Sequence, residues 1–129
     1  KTAYDNLEAV LIENTRHQEC LRIKQSCDIH FDHLQGYFGV SSLESLSQGK
    51  PVIAGLDDWN IKALKEFTDS KWLPWVIAGT QDELQARLKE LVEDRNFRNK
   101  IGMEGRRFMK AHWSEVQILQ ILTEVYETL

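Results

Sequence analysis

The residues best suited to chemistry lie between Asp28 and Gly55. Gly36 and Gly39, with Tyr37 and Phe38 between them, form a short glycine turn after the apolar run 28–31 and before a helical stretch from Val40. Glycines at such a turn let the backbone take a positive φ or approach a ligand closely. A helix N-terminus directly after the turn presents unpaired N–H groups and the positive end of a dipole, which suits phosphate. The amides of Gly39, Val40 and Ser41 are therefore candidates for cradling a diphosphate. Glu44, one turn further on, is placed to accept hydrogen bonds from ribose hydroxyls. On pattern alone the alternative carries equal weight: a glycine turn that only shapes the loop, and Glu44 as a solvated helix residue.

These residues need a scaffold. Residues 7–12 read as a strand, followed by a short helix over 16–25 that Asn14 or Thr15 is expected to cap. Residues 28–31 read as a second strand. A helix over 40–48 follows, with Gly49 as its C-cap. Residues 51–54 are continuously apolar, as in a parallel strand covered on both faces. A helix over 60–67 and a minimal strand at 75–77 come next. Thr80 with Glu83, and Ser114 with Gln117, form capping boxes that open two helices, and a third runs over 95–110 between them. Leu84, Leu88, Leu91 and Val92 make an amphipathic stripe, and Ile118, Leu122, Val125 and Leu129 share one face of the last helix. Strands alternating with helices imply parallel βαβ units, so the expected fold is a single Rossmann-like α/β domain. Its sheet has about four short strands flanked by helices, and the helical C-terminus packs across it.

The 129 residues are one domain in length, 42% hydrophobic and 28% charged, as in ordinary globular proteins. Sixteen basic against twenty acidic side chains give a net charge of −4, which offers no electrostatic case for binding nucleic acid. No apolar run approaches the roughly 20 residues of a bilayer span, and no signal-peptide core is present, so a cytoplasmic location is expected. The sequence starts at Lys1 without a Met and is read as a piece of something longer. Cys20 and Cys27 are read as free thiols.

The segment 36–54, GYFGVSSLESLSQGKPVIA, resembles the signature of retaining glycosyltransferases of the GT-B fold. That signature runs Glu-Gly-Phe-Gly, three residues, Leu-Glu-Ala, a short helix, then Gly-Lys-Pro-Val-Ile. The strand Cys27-Asp28-Ile29-His30-Phe31 is similar to the family's Ala-Asp-Ile strand. Residues 84–107, His112-Trp113-Ser114 and Val125-Tyr126 resemble its closing helices. The resemblance spans nearly the whole chain, although only the nineteen central residues are specific.

The resemblance implies the later part of a C-terminal donor-binding domain. The donor nucleotide-sugar site would then comprise Gly36, Tyr37, Phe38, Gly39, Val40, Ser41 and Glu44, with phosphate or sugar on the amides around Gly39 and ribose on Glu44. It implies a nucleotide-diphosphate sugar as donor substrate, and neither a tightly bound cofactor nor a metal. The first glutamate of the family's Glu-x7-Glu pair would fall at position 36, where this chain has Gly36. That departure removes a carboxylate near the transferred sugar and leaves the catalytic residues unassigned. The family's basic diphosphate clamp and its N-terminal acceptor domain would precede Lys1, so this chain would hold one wall of the cleft and be inactive alone. A non-catalytic nucleotide- or sugar-binding or interaction module on the same scaffold is the alternative. A phosphoacceptor domain built on Asp28, Asp32 and Lys50 is a third.

Other residues have plainer readings. His30, Asp32 and His33 lack the converging ligands of a metal site, and Asp32 is placed to touch the loop backbone. Asp57, Asp58 and Asn60 read as loop and cap residues before donor-sugar contacts. Arg95, Arg98, Lys100, Arg106, Arg107 and Lys110 read as a solvated face, with weak contact to an anionic membrane as the alternative. Trp72, Trp75 and Trp113 read as packing residues, and Trp59 as the one tryptophan to test for sugar stacking. Apolar surface left by absent upstream strands would allow self-association.

Overall fold

The computed structural model describes residues 7–129. Its elements are α1 (His17–Ser26), β1 (His30–Phe31), α2 (Val40–Ser47), β2 (Val52–Ala54), α3 (Asp58–Thr68), β3 (Val76–Ile77), α4 (Gln81–Glu93), α5 (Arg95–His112) and α6 (Glu115–Thr128). The strands form one parallel sheet in the order β1-β2-β3. His30 is in register with Val52, and Ile53 with Val76. Two βαβ units, β1-α2-β2 and β2-α3-β3, thus bring the carboxyl ends of all three strands to one edge.

Alternation along the central strand divides the core. Val52 and Ala54 pack on one face with Leu46 of α2, Leu64 of α3, Trp75, and Phe108 and Met109 of α5. Ile53 packs on the other with Ala78, Leu91 and, half-buried, Leu84, Leu88 and Phe97. The sheet is therefore covered on both sides, which is why residues 51–54 read as an unbroken apolar run.

The crossing of α5 over the end of α2 depends on missing side chains. A Cβ on Gly102 would lie 2.2 Å from the Gly49 carbonyl oxygen, and one on Gly105 would lie 2.9 Å from Leu46 Cδ2. The C-cap of α2 is Gln48; Gly49, expected as the cap, lies one residue further on, takes φ +75° and reverses the chain.

Side-chain caps open α3, α4, α5 and α6, whereas α1 and α2 start without one. Thr80 Oγ1 accepts from the Glu83 N–H at 3.1 Å, while Glu83 accepts from the Gly79 N–H at 2.7 Å. Ser114 Oγ accepts from the Gln117 N–H at 3.4 Å. Neither Asn14 nor Thr15 caps α1: the N-cap is Arg16, without a side-chain bond. Asn14 turns the chain with φ +48°, and the Thr15 hydroxyl donates back to the Glu13 carbonyl at 2.7 Å, so both are spent on the preceding turn.

Two further expectations change. Residues 7–12 form no strand. Val10 and Leu11 are exposed, and an apolar run becomes a strand only beside a neighbour that completes its ladder. The sheet accordingly has three strands. The C-terminal helices also do not all pack across it: α4 and α5 contribute to the core, whereas α6 rests on α5 and buries no residue. No helix among the described residues is long and apolar enough to cross a membrane.

Candidate ligand site at the carboxyl edge of the sheet

The glycine turn lies where the carboxyl ends of the strands meet α2. Gly36 has φ +96° and bridges to Leu56, the residue that follows β2 and Gly55. Its carbonyl accepts from the Asp57 N–H at 2.7 Å and from Asn60 Nδ2 at 3.0 Å. A Cβ at position 36 would meet Asp57 Oδ2 at 3.0 Å. A glutamate there, as in the resembled signature, would therefore need a different loop conformation and would place a second carboxylate against Asp57.

Asp57 is the N-cap of α3 and accepts from the Asn60 N–H at 2.8 Å and from Asn60 Nδ2 at 2.9 Å. These bonds hold its carboxyl below the ordinary 3.8. Asp57 and Asn60 thus do what turn and cap residues do.

The start of α2 carries an anion from its own chain. Asp32 Oδ2 accepts from the Gly39 N–H at 2.9 Å and from Ser42 Oγ, while Oδ1 lies 3.6 Å from His33 Nε2. A carboxylate at a helix N-terminus is favoured by both the bonds and the dipole. Gly39, expected to hold phosphate, donates to Asp32 instead. The Ser42 N–H turns back to the Gly39 carbonyl at 3.0 Å, so the amides of Val40 and Ser41 are the two in the first turn that lack an intrahelical acceptor.

Tyr37 and Phe38 point to different fates. Tyr37 is half-exposed, lies against His33 with ring centroids 4.4 Å apart, and donates its hydroxyl to Gln35 Oε1 at 2.9 Å. Phe38 packs inward against Trp75 and Trp113, at centroid distances of 5.2 and 6.4 Å. Partly buried, it packs against the core and anchors the turn.

Ser41 and Glu44 meet a partner that the sequence did not advertise. Lys24, on α1, is buried at 8% exposure. Its ammonium donates to Ser41 Oγ at 2.7 Å, the Ser41 carbonyl at 3.1 Å and Glu44 Oε1 at 2.9 Å. Glu44 Oε2 lies 3.4 Å from His17 Nε2. Beside this cluster runs an open groove of about 420 Å³ between α1, α2 and the end of α5. Its wall is apolar through Leu21, Leu43, Met109 and Trp113, and Glu44 and Gln48 border it. Gln48 Nε2 donates to the Leu21 carbonyl at 2.9 Å, while its Oε1 is buried without a partner. A helical lysine normally reads as solvated, so only the crossing of α1 on α2 reveals this one.

The remaining candidates are dispersed. His30 is buried and donates Nε2–H to the Lys24 carbonyl at 2.7 Å, with Nδ1 left without a partner. Burial pushes its imidazole below the ordinary 6.5; the bond to Lys24 opposes this, and the Lys24 and Lys50 cations reinforce it. Asp28 is exposed before β1, whereas Asp32 is held by the Gly39 N–H and the Ser42 hydroxyl. In the basic region, Arg98 donates to the Leu91 and Val92 carbonyls at the end of α4, and Arg106 to the Ser47 carbonyl of α2. Trp59 is 74% exposed on α3, Trp72 is also exposed, and Trp75 and Trp113 join the aromatic packing. Cys20 and Cys27 are free and half-buried.

Compared with protein-family models, curated proteins and solved structures, the chain matches none of the three.

Proposed function

We propose that this chain is the later part of the donor-binding domain of a cytoplasmic, retaining, nucleotide-sugar-dependent glycosyltransferase of the GT-B type. The observation that carries the reading is the glycine turn at residues 36–39. It delivers the N-terminus of α2 to the carboxyl edge of a parallel sheet, where open α/β sheets take ligands. The same turn opens the nineteen-residue segment that resembles the family signature. In this reading the three strands belong to a larger sheet, and residues 7–12 become a fourth strand when its remainder is present. The diphosphate sits on the Val40 and Ser41 amides, Glu44 takes the ribose, and the transferred sugar lies toward Gly36 and Tyr37. The chain supplies recognition, and stabilisation of the departing diphosphate is completed by basic groups of the missing parts.

The test is an amide-NMR titration of the chain with UDP, GDP and ADP, repeated with Glu44→Ala. Saturable shifts at residues 39–44 that disappear in the variant support the reading and identify the base. Shifts scattered over the surface, or equal in the variant, count against it.

A second reading, a non-catalytic interaction module on this scaffold, is favoured by one observation. Carboxylates on both sides of the α2 N-terminus are already engaged within the chain, Asp32 by Gly39 and Ser42, and Glu44 by Lys24. Under that reading no nucleotide moves residues 39–44, and the whole protein shows no sugar transfer.

A further inference from the structure

Lys24 is the most costly residue in the described chain to have buried, because removing an ammonium from water is unfavourable unless every donor is matched. Here three donors meet three acceptors, two on Ser41 and one on Glu44. An apolar side chain of similar length would cover α2 without that desolvation cost. What the ammonium adds is direction. By donating to Ser41 Oγ it leaves the serine's own O–H free to donate elsewhere. By holding Glu44 Oε1 it leaves Oε2 as the oxygen toward His17 and the groove. One cation thus sets a hydroxyl donor and a carboxylate acceptor a turn apart on α2. A phosphate oxygen needs the first, and a vicinal diol needs the second.

We propose that Lys24 is a positioning residue for a nucleoside diphosphate, acting through Ser41 and Glu44, so that the donor site is built across α1 and α2 and not on α2 alone. This rests on the donor-binding reading above. The ligand's phosphate accepts from the Ser41 hydroxyl, its ribose donates to Glu44 Oε2, and His17 is displaced from that oxygen. Lys24 touches neither part of the ligand.

The experiment uses the whole chain. Dissociation constants for UDP, GDP and ADP are measured for wild type, Lys24→Met, Lys24→Arg, Glu44→Gln and the Lys24→Met/Glu44→Gln double variant, with thermal unfolding and an amide spectrum for each. Lys24→Met is expected to weaken the nucleotide that binds wild type by about tenfold, the scale of one charge-assisted hydrogen bond, with Lys24→Arg recovering part of the loss. Because Lys24 acts in part through Glu44, the losses in the double variant should be clearly less than additive. The Lys24 Nζ resonance should shift as nucleotide saturates the wild type. A Lys24→Met protein that melts earlier yet binds equally well overturns the proposal, as do fully additive losses. Should Lys24→Met not fold, Lys24→Arg and the Nζ resonance decide, and an unmoved resonance with unchanged affinity overturns it. Wild type that binds none of the three nucleotides removes the donor reading and this proposal together; wild type that binds while the Lys24 variants match it removes this proposal alone.

Discussion

The Asp32 carboxylate lies 2.9 Å from the Gly39 amide nitrogen, so the N-terminus of α2 is occupied by an anion from the chain itself. The arrangement stabilises the turn and competes with any anion arriving from outside. Asp32→Ala should cost about 1–2 kcal/mol in urea unfolding through loss of its bonds to the Gly39 N–H and the Ser42 hydroxyl. The same variant frees the Gly39 N–H and removes a repelling charge, so pyrophosphate should bind it more tightly than wild type. Weaker pyrophosphate binding would show that Asp32 organises an anion site instead of occupying it.

His30 makes stability fall with acid. Its folded pKa lies below the ordinary 6.5, so between the two values the unfolded chain binds a proton that the native chain refuses. Above about pH 6.5 the residue contributes no pH dependence; below it, stability should drop by at most about 1.4 kcal/mol per pH unit until the folded value is reached. Asp57, also lowered, acts only in a more acidic window, below its ordinary 3.8. Urea unfolding at pH 7.5 and 5.5 should separate wild type from His30→Asn, whose slope in that interval should be shallower.

Gly102 has no room for a side chain, since its Cβ would lie 2.2 Å from the Gly49 carbonyl oxygen. Gly102→Ala should destabilise the chain by about 2–4 kcal/mol despite the higher helix propensity of alanine, because α5 must move away from α2. Chemical denaturation measures this directly. A neutral or stabilising result would mean that the two helices cross at a greater distance.

Burial separates two leucines that read alike in the sequence. Leu46 is fully buried, whereas Leu122 is 48% exposed on α6. Leu46→Ala should cost about 3 kcal/mol and Leu122→Ala less than about 1 kcal/mol in the same denaturation assay. A large loss at Leu122 would reveal that α6 is covered in solution.

Several elements were legible because their signals are local. Thr80 and Ser114 cap the helices they precede, and each reaches an amide three residues on, a distance set by helix geometry alone. The apolar run at 51–54 marked the central strand, because a strand covered on both faces has no polar side to show. Residues 7–12 carry a similar apolar signal and form no strand, since hydrogen-bonding partners for a strand come from elsewhere in the chain. The contact of Asp32 with the loop backbone was foreseeable from its place between a strand and a glycine turn.

By itself, then, the sequence determined the βαβ order, the helix starts at Thr80 and Ser114, the glycine turn, and the segment whose resemblance suggests a nucleotide sugar. Those features depend on neighbours within a few residues, and propensity, capping and periodicity record them. Only the tertiary structure decided that Gly39 donates to Asp32, that Phe38 faces the core, and that Lys24 leaves water to hold Ser41 and Glu44. Each of these depends on how elements cross. A lysine on an amphipathic helix reads as solvated until another helix supplies its acceptors, and that acceptor set lies 17 and 20 residues away along the chain.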